Sequence, residues 1–125
     1  MCPCNVFLIG ISKMIERFLT QTKFTSVEDF KQNLHFKVPD NFNFAYDVMD
    51  AWAMEAPDKL ALLWTDDEDN CIRFTFKDIK EQSDRAASYF SSLGIGRGDV
   101  VMLILKRRTE FWFSLIALLK LGAVT

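Results

Sequence analysis

The stretch VVMLILKRRTEFWFSLIALLKLGAVT, residues 100–125, decides the fold. Val100–Leu105 is apolar without alternation, a pattern typical of a strand covered on both faces, as in a parallel sheet. A helix is predicted over Glu110–Leu121, and it is apolar nearly all round, so we expect it to be buried nearly all round. Residues 123–125 begin another strand. The order strand, helix, strand predicts a βαβ unit.

The ends of that helix carry their own signals. Thr109 is predicted to cap its first turn, where Glu110 suits the positive helix end. Gly122 is predicted to stop the helix. Thr75 is likewise expected to cap the preceding helix, and Gly94 to end it.

Further elements precede the βαβ unit, and each is predicted from apolar periodicity and turn residues. They are helices over Val27–Leu34 and Asn43–Glu55, hairpin strands over Leu60–Trp64 and Ile72–Phe76 joined by residues 66–70, and a helix ending at Leu93 that buries Ile79, Ser83, Ala86, Phe90 and Leu93. The predicted fold class is α/β: N-terminal helices, a β-hairpin and the first βαβ unit of a larger, truncated domain. One complete parallel strand is not a sheet.

Composition excludes several classes of protein. The 125 residues are 50% hydrophobic and 26% charged, with a net charge of −2. That charge disfavours nucleic-acid binding as a main activity, and twelve Phe and three Trp exclude disorder. Because a small domain should need fewer apolar residues, we infer that the chain is a piece of something larger.

The cysteines and the N-terminus bear on the location of the protein. A zinc site would need Cys2, Cys4, Cys71 and His35 together, so free thiols in a reducing compartment are the default interpretation. The apolar run Val6–Ile11 is too short for a signal peptide, and Met14 could itself be the start. Residues 1–24 are interpreted as a leader or extension. No stretch reaches the length of a membrane span, and we expect a cytoplasmic protein.

Two clusters invite a ligand-binding interpretation. Gly94, Gly96 and Gly98 follow a helix and precede a strand, the reverse of a phosphate-binding loop, so they are predicted to form a helix stop and a turn. Lys106–Arg108 lies at the carboxyl end of the predicted parallel strand, where open α/β sheets bind ligands. This cluster could attract a phosphate or a carboxylate, although a solvated rim is the favoured alternative. No nucleophile–base constellation can be assembled.

The segments FTFKDIKEQSDRAA (residues 74–87) and LLKLGAVT (residues 118–125) resemble the first two core motifs of the adenylate-forming superfamily. The whole from about Phe42 is similar to the start of AMP-forming acyl-CoA synthetases, especially the acetyl- and medium-chain types. The resemblance implies a large two-domain ligase of fatty acid metabolism that uses ATP, Mg²⁺ and CoA. Residues 25–125 would be the incomplete N-terminal portion of its AMP-binding domain.

The resemblance transfers no catalytic, cofactor-binding or metal-binding residue to this chain. The family's phosphate loop ending in Pro-Lys and its catalytic lysine have no counterpart in the sequence. We therefore expect the chain itself to be inactive and to have the remainder of the adenylation domain as its partner. The alternative is a stand-alone α/β module that binds another protein through its sheet edge. Acetate, medium-chain and aromatic acids all remain open as substrates.

Overall fold

The computed structural model describes residues 15–125, which fall into two compact units, residues 15–42 and 43–125. The elements are α1 (Val27–Asn33), a π-helical turn (Ala45–Asp50), α2 (Ala51–Glu55), β1 (Leu60–Thr65), β2 (Cys71–Thr75), α3 (Phe76–Ser92) and α4 (Glu110–Leu121). The predictions made for Val6–Ile11 and for Met14 lie outside the described residues.

The first unit is built around the short helix α1, which the sequence predicts to within one residue. Ser26 is its N-cap, and its hydroxyl accepts a hydrogen bond from the Asp29 backbone N–H at 3.1 Å. The Asp29 carboxylate in turn accepts from the backbone N–H and the hydroxyl of Thr25. No residue of α1 is buried, so local capping contacts define this helix more than packing does.

The predicted helix Asn43–Glu55 is present, but its first half is π-helical and only Ala51–Glu55 is α-helical. The Asn43 side chain accepts a hydrogen bond from the Ala45 N–H and donates one to the Leu119 carbonyl oxygen at 2.7 Å. That second bond ties the start of this helical segment to α4. Wider turns of this kind cannot be read from apolar spacing alone.

The hairpin is confirmed, with antiparallel pairing of β1 and β2 across the loop of residues 66–70. The Asp66 carboxylate accepts hydrogen bonds from the backbone N–H groups of Glu68 and Asn70, which closes the loop. Phe76 begins α3 instead of ending the strand. Cys71 is disulfide-bonded, so the expectation of free thiols is wrong at this residue.

Helix α3 starts with the predicted cap, a complete capping box between Thr75 and Asp78. Ile79 and Ser83 are buried as predicted, but Leu93 is 59% exposed. Leu93 is the C-cap, so it has left the helical face on which the prediction placed it. Ile79 packs in the core cluster with Ala45 and Ile116, which joins α3 to the π-helical turn and to α4.

The prediction of a regular strand over Val100–Leu105 is wrong for the described chain. Val100 forms an isolated parallel bridge with Val124, and no ladder continues over the rest of the segment within residues 15–125. Val100, Met102 and Ile104 are 81–84% exposed. A parallel strand is built by its neighbours, and the described residues supply a partner only at Val124. The predicted α/β fold class holds, with the βαβ unit present in outline.

Helix α4 follows its prediction in extent and departs from it on one face and at its start. Ile116, Ala117 and Leu118 are buried, while Trp112 is 47% exposed. Thr109 occupies the N-cap position, but its side chain makes no capping hydrogen bond. The expected cap is therefore wrong at the level of the side chain, and the expected burial is wrong for one face.

Candidate functional site

The basic cluster borders a cleft between β1 and the segment that leads into α4. Lining residues enclose about 460 Å³, and they are Leu62–Thr65, Leu105–Arg108, Phe111 and Trp112. Trp64 donates a hydrogen bond from its indole Nε1 to the Arg107 carbonyl oxygen at 2.6 Å. That bond fixes the backbone of the cluster against β1. The floor of the cleft is apolar and aromatic, and its rim is cationic.

The rim of this cleft is solvated. Arg107 approaches Asp67 at 3.6 Å, and both side chains are more than 90% exposed. An ion pair at such exposure contributes little to stability. Lys106 and Arg108 are exposed as well. The structure thus places the three predicted residues together at one cleft, where they could attract a carboxylate or a phosphate without desolvating it.

The glycine cluster is a helix stop and a turn, as predicted. Gly94 and Gly98 have φ angles of +85° and +87°, in the region that favours glycine. The Gly96 N–H donates to the Asp99 carboxylate at 2.8 Å, and the Gly98 N–H donates to the Gly122 carbonyl oxygen at 3.0 Å. These amide groups serve the internal turn and do not point at a ligand.

The part of the chain that the structure describes shows no metal-binding site. Residues 15–125 contain no group of three His, Cys, Asp or Glu side chains that could hold a metal ion. Mg²⁺ in nucleotide-dependent enzymes is usually bound by one or two carboxylates together with phosphates of the substrate. The cationic rim at Lys106–Arg108 is the opposite environment, so these residues do not fit Mg²⁺.

A partly buried ion cluster lies on the other side of α4, at residues that were not predicted as a site. The Lys120 ammonium lies 2.6 Å from Asp84 Oδ1 and 2.9 Å from Asp50 Oδ1, and its side chain is 2% exposed. Lys80 lies 2.6 Å from Asp84 Oδ2 and 3.9 Å from Asp50 Oδ2. Two lysines and two aspartates therefore form a neutral group that joins the π-helical turn, α3 and α4.

The ionisation of this cluster follows from its geometry. Burial raises the pKa of Asp84, but hydrogen bonds from Lys120 and Lys80 outweigh it and hold that pKa below its usual value. The hydrogen bond to Asp84 raises the pKa of Lys80. Asp84 and Lys80 are therefore both charged at neutral pH. Asp50 Oδ1 is buried and accepts no hydrogen bond within the described chain, so its compensation is the ionic contact with Lys120.

Two features of the sequence could have predicted part of this cluster. Lys120 is the only charged residue of α4 after Glu110, and a lone lysine in an apolar helix needs a counter-charge if that face is buried. Asp84 lies four residues after Lys80, the spacing of a helical ion pair. The burial of Asp50 depends on the tertiary fold.

A second cavity, of about 270 Å³, lies beside the core cluster. It is lined by Phe44, Met49, Ala61, Leu62, Ile79, Trp112, Leu115, Ile116 and Leu119. Its walls offer no acid, base or nucleophile. It is a gap in apolar packing and not a site for chemistry.

Comparison with known protein families matches most of the second unit. A family model described as AMP-binding enzyme matches residues 49–125. The mitochondrial acyl-coenzyme A synthetase ACSM3 of Homo sapiens is 33% identical over 114 residues, which cover 86% of this chain and 20% of that protein. The human mitochondrial acyl-coenzyme A synthetase ACSM2A is 35% identical over 96 residues, covering 72% and 17%. The chain thus spans about one fifth of the length of these relatives.

Solved structures give the same result for the fold. A fatty acid AMP ligase from Legionella pneumophila superposes with a TM-score of 0.59 at 20% identity, over 64% of this chain and 14% of that one. The fatty acyl CoA synthetase of Mycobacterium tuberculosis gives 0.57 at 27% identity, over 66% and 16%. The N-terminal subdomain of Klebsiella oxytoca NpsA gives 0.56 at 27%, over 62% and 19%. Between residues 15 and 125, no helix combines the length and apolar character needed to cross a bilayer.

Proposed function

The chain belongs to the AMP-binding enzyme family, and on that premise we propose that it is the N-terminal part of an AMP-forming acyl-CoA ligase. Residues 25–125 are the incomplete N-terminal portion of the adenylation domain, and residues 1–24 are an extension. The similarity to acyl-coenzyme A synthetases over 86% of the chain supports this assignment. The acid that the enzyme activates is left open.

The proposed reaction has two steps and balances without a further reactant. The carboxylate of the acid attacks the α-phosphate of ATP, the bond to the β-phosphate breaks, and pyrophosphate leaves an acyl-adenylate. The thiol of CoA then loses its proton to solvent, its sulfur attacks the acyl carbon, and AMP leaves with the electron pair of the broken C–O bond. Family members use ATP, Mg²⁺ and CoA for this chemistry. Their residues for it lie outside the two motifs present in this chain.

The role of this chain in such an enzyme is to supply one side of the sheet and its supporting helices. The observation that carries this role is the isolated parallel bridge between Val100 and Val124, next to a segment whose side chains alternate between exposed and half-buried. Met102 and Ile104 have the exposure of surface residues but the character of core residues. A further parallel strand and its covering helices would bury them.

We expect the isolated chain to lack ATP–pyrophosphate exchange with any carboxylic acid, because it offers no phosphate-binding loop. The stronger test is a chimera in which this chain replaces the matched N-terminal fifth of human ACSM3. If the chain is a functional equivalent of that part, the chimera should show acid-dependent exchange above the level of the truncated human remainder alone.

The matched control is the same chimera carrying Ile116→Asp, which places a carboxylate in the core and should abolish both folding and exchange. A soluble, cooperatively melting chimera without exchange would contradict the proposal. So would exchange by the isolated chain of residues 1–125, because the activity would then not need the remainder.

A second candidate, a stand-alone interaction module, is favoured by the same exposed segment. Apolar side chains at Val100, Met102 and Ile104 leave an uncovered edge that could pair with another protein. Under the enzyme proposal the isolated chain should associate or precipitate, and Ile104→Lys should reduce that association. A monodisperse chain at high concentration would favour the module, because a module that functions alone must keep its edge soluble.

We propose the cytoplasm as the location. The support for this location is the cysteine content, three residues without disulfide-dense spacing, and the disulfide at Cys71 counts against it. The two human relatives described above are named as mitochondrial proteins, which makes mitochondria the alternative. Cell fractionation of a C-terminally tagged chain distinguishes the two. Recovery in the mitochondrial fraction would overturn the cytoplasmic proposal.

A further inference from the structure

Helix α4 faces a problem of orientation that its apolar residues do not solve. Leucine, isoleucine or aromatic side chains point in every direction around it, so a rotation about its axis would replace one apolar contact with another. Swaps of this kind between apolar residues of similar volume change stability little. Packing alone therefore leaves the rotation of α4 weakly specified.

We propose that the ion cluster of Lys120, Asp50 and Asp84 is the conformational device that fixes the rotation of α4 and, through it, the register of the parallel strand pair. Lys120 is the one charged residue in the last two turns of the helix, and its ammonium reaches carboxylates on two different elements at 2.6 and 2.9 Å. A rotated helix would leave a buried ammonium and two carboxylates without their partners, which is far more costly than an apolar swap.

A second polar contact supports the same orientation at the neighbouring residue. Asn43 donates from Nδ2 to the Leu119 carbonyl oxygen at 2.7 Å, and the same side chain accepts from the Ala45 N–H. The last turn of α4 is thus held from the side of the π-helical segment by one neutral and one ionic contact. The N-terminal half of α4 is held by apolar contacts, such as the one between the rings of Phe74 and Phe113, whose centroids are 5.2 Å apart. Such contacts impose no comparable directional constraint.

The consequence for the strand pair follows from chain geometry. Helix α4 ends at Leu121, one residue after Lys120, and its C-cap Gly122 has a φ of +71°. The Val124 N–H then donates to the Asp99 carbonyl oxygen, and the Val101 N–H donates to the Val124 carbonyl oxygen, both at 2.8 Å. With so few residues between the ammonium and these bonds, the rotation of the helix determines which residue meets Val100.

The groups that face Lys120 bring carboxylates and one further ammonium close to it. Asp50, Asp84 and Lys80 face Lys120, and the ring of Tyr46 lies 5.8 Å from its ammonium. Positive and negative charges balance two against two. The aliphatic stem of Lys120 is buried, so a methionine at this position keeps most of the packing while removing the charge.

The test uses the full chain and amide hydrogen exchange at Val101 and Val124, whose N–H groups carry the strand register. In the triple variant Asp50→Asn/Asp84→Asn/Lys120→Met, protection of these two amides should fall at least tenfold, while protection within α3 falls less than threefold. Lys77→Met, an exposed lysine on α3, is the matched control and should leave both regions unchanged. Protection of Val101 and Val124 within twofold of the parent chain would overturn the proposal.

The single variant Asp84→Asn keeps the test decisive if the triple variant fails to fold, because Asp84 is 45% exposed and its loss is milder. A register device predicts loss of protection concentrated at Val101 and Val124. A cluster that merely adds stability predicts an equal loss in α3 and at the strand pair, and that outcome would also overturn the proposal.

Discussion

Helix α3 pairs its backbone hydrogen-bonding groups and buries apolar side chains within the described chain. The segment Val100–Leu105 leaves most of its backbone groups without strand partners and most of its apolar side chains exposed. The helix begins with a capping box and buries Ile79 and Ser83. The segment has one parallel bridge, and its outward side chains are 81–84% exposed at Val100, Met102 and Ile104. A helix closes its hydrogen bonds over four residues, while a strand depends on remote partners. Contacts close along the chain complete the first region, whereas residues 15–125 leave the second without a full set of partners.

The largest expected effect is the difference in unfolding free energy lost when a buried and an exposed apolar residue are each replaced by alanine. Leu118 is 0% exposed, and Leu118→Ala should lower the free energy of unfolding by about 3 kcal/mol, from lost transfer energy and a residual cavity. Ile104 is 84% exposed, and Ile104→Ala should change it by less than about 0.5 kcal/mol. Urea unfolding of the full chain measures both.

Comparable losses for the two variants would contradict this difference, because Ile104 would then be packed in solution. Association between chains could produce such packing, so the unfolding curves should be repeated over a range of protein concentrations. A loss at Ile104 that grows with concentration would identify an associated state. A loss that does not change with concentration would place the segment in the core of the monomer.

The second comparison concerns two threonines at helix starts. Thr75 accepts a hydrogen bond from the Asp78 N–H and completes a capping box, so Thr75→Ala should cost about 1 kcal/mol. Thr109 makes no capping bond, and its hydroxyl instead meets the Glu110 carboxylate at 3.2 Å. Thr109→Ala should therefore leave the midpoint of urea unfolding nearly unchanged. Equal effects of the two substitutions would show that α4 is capped in solution.

Sequence reasoning succeeded where the deciding contacts are close along the chain. The capping residues Ser26 and Thr75, the hairpin loop and the turn at Gly94 all depend on neighbours within five residues. These signals are local, and no alternative partner competes with them. The extent of α4 was equally accessible, because an apolar helix bounded by Thr109 and Gly122 has few other interpretations.

The features that were not predicted, or were predicted wrongly, depend on residues that are remote in sequence. The Lys120 ammonium finds Asp84 across 36 residues and Asp50 across 70, a coincidence that only the tertiary fold creates. Whether Val100–Leu105 becomes a strand depends on partners supplied elsewhere. The candidate site follows the same rule. The order of the predicted elements was enough to place Lys106–Arg108 at an edge where ligands bind, but it could not predict the hydrogen bond from Trp64 to the Arg107 carbonyl oxygen.

The smallest expected effect is a pH dependence at the start of α3. Hydrogen bonds from the Thr75 backbone N–H and hydroxyl hold the pKa of Asp78 below its usual value of 3.8. Because the folded-state pKa is lowered, this carboxylate contributes stability that is complete above the unfolded pKa and is lost as pH falls through the folded value. The difference in unfolding free energy between the parent chain and Thr75→Ala should therefore be constant from pH 7 to about pH 5 and narrow below about pH 4.

Thr109→Ala, which touches no part of this capping box, is the control. Its unfolding free energy should differ from that of the parent chain by a constant amount over the whole pH range. A difference between parent and Thr75→Ala that is unchanged down to pH 2 would mean that the hydroxyl stabilises α3 only by accepting from the Asp78 N–H, since that bond does not depend on the charge of the carboxylate.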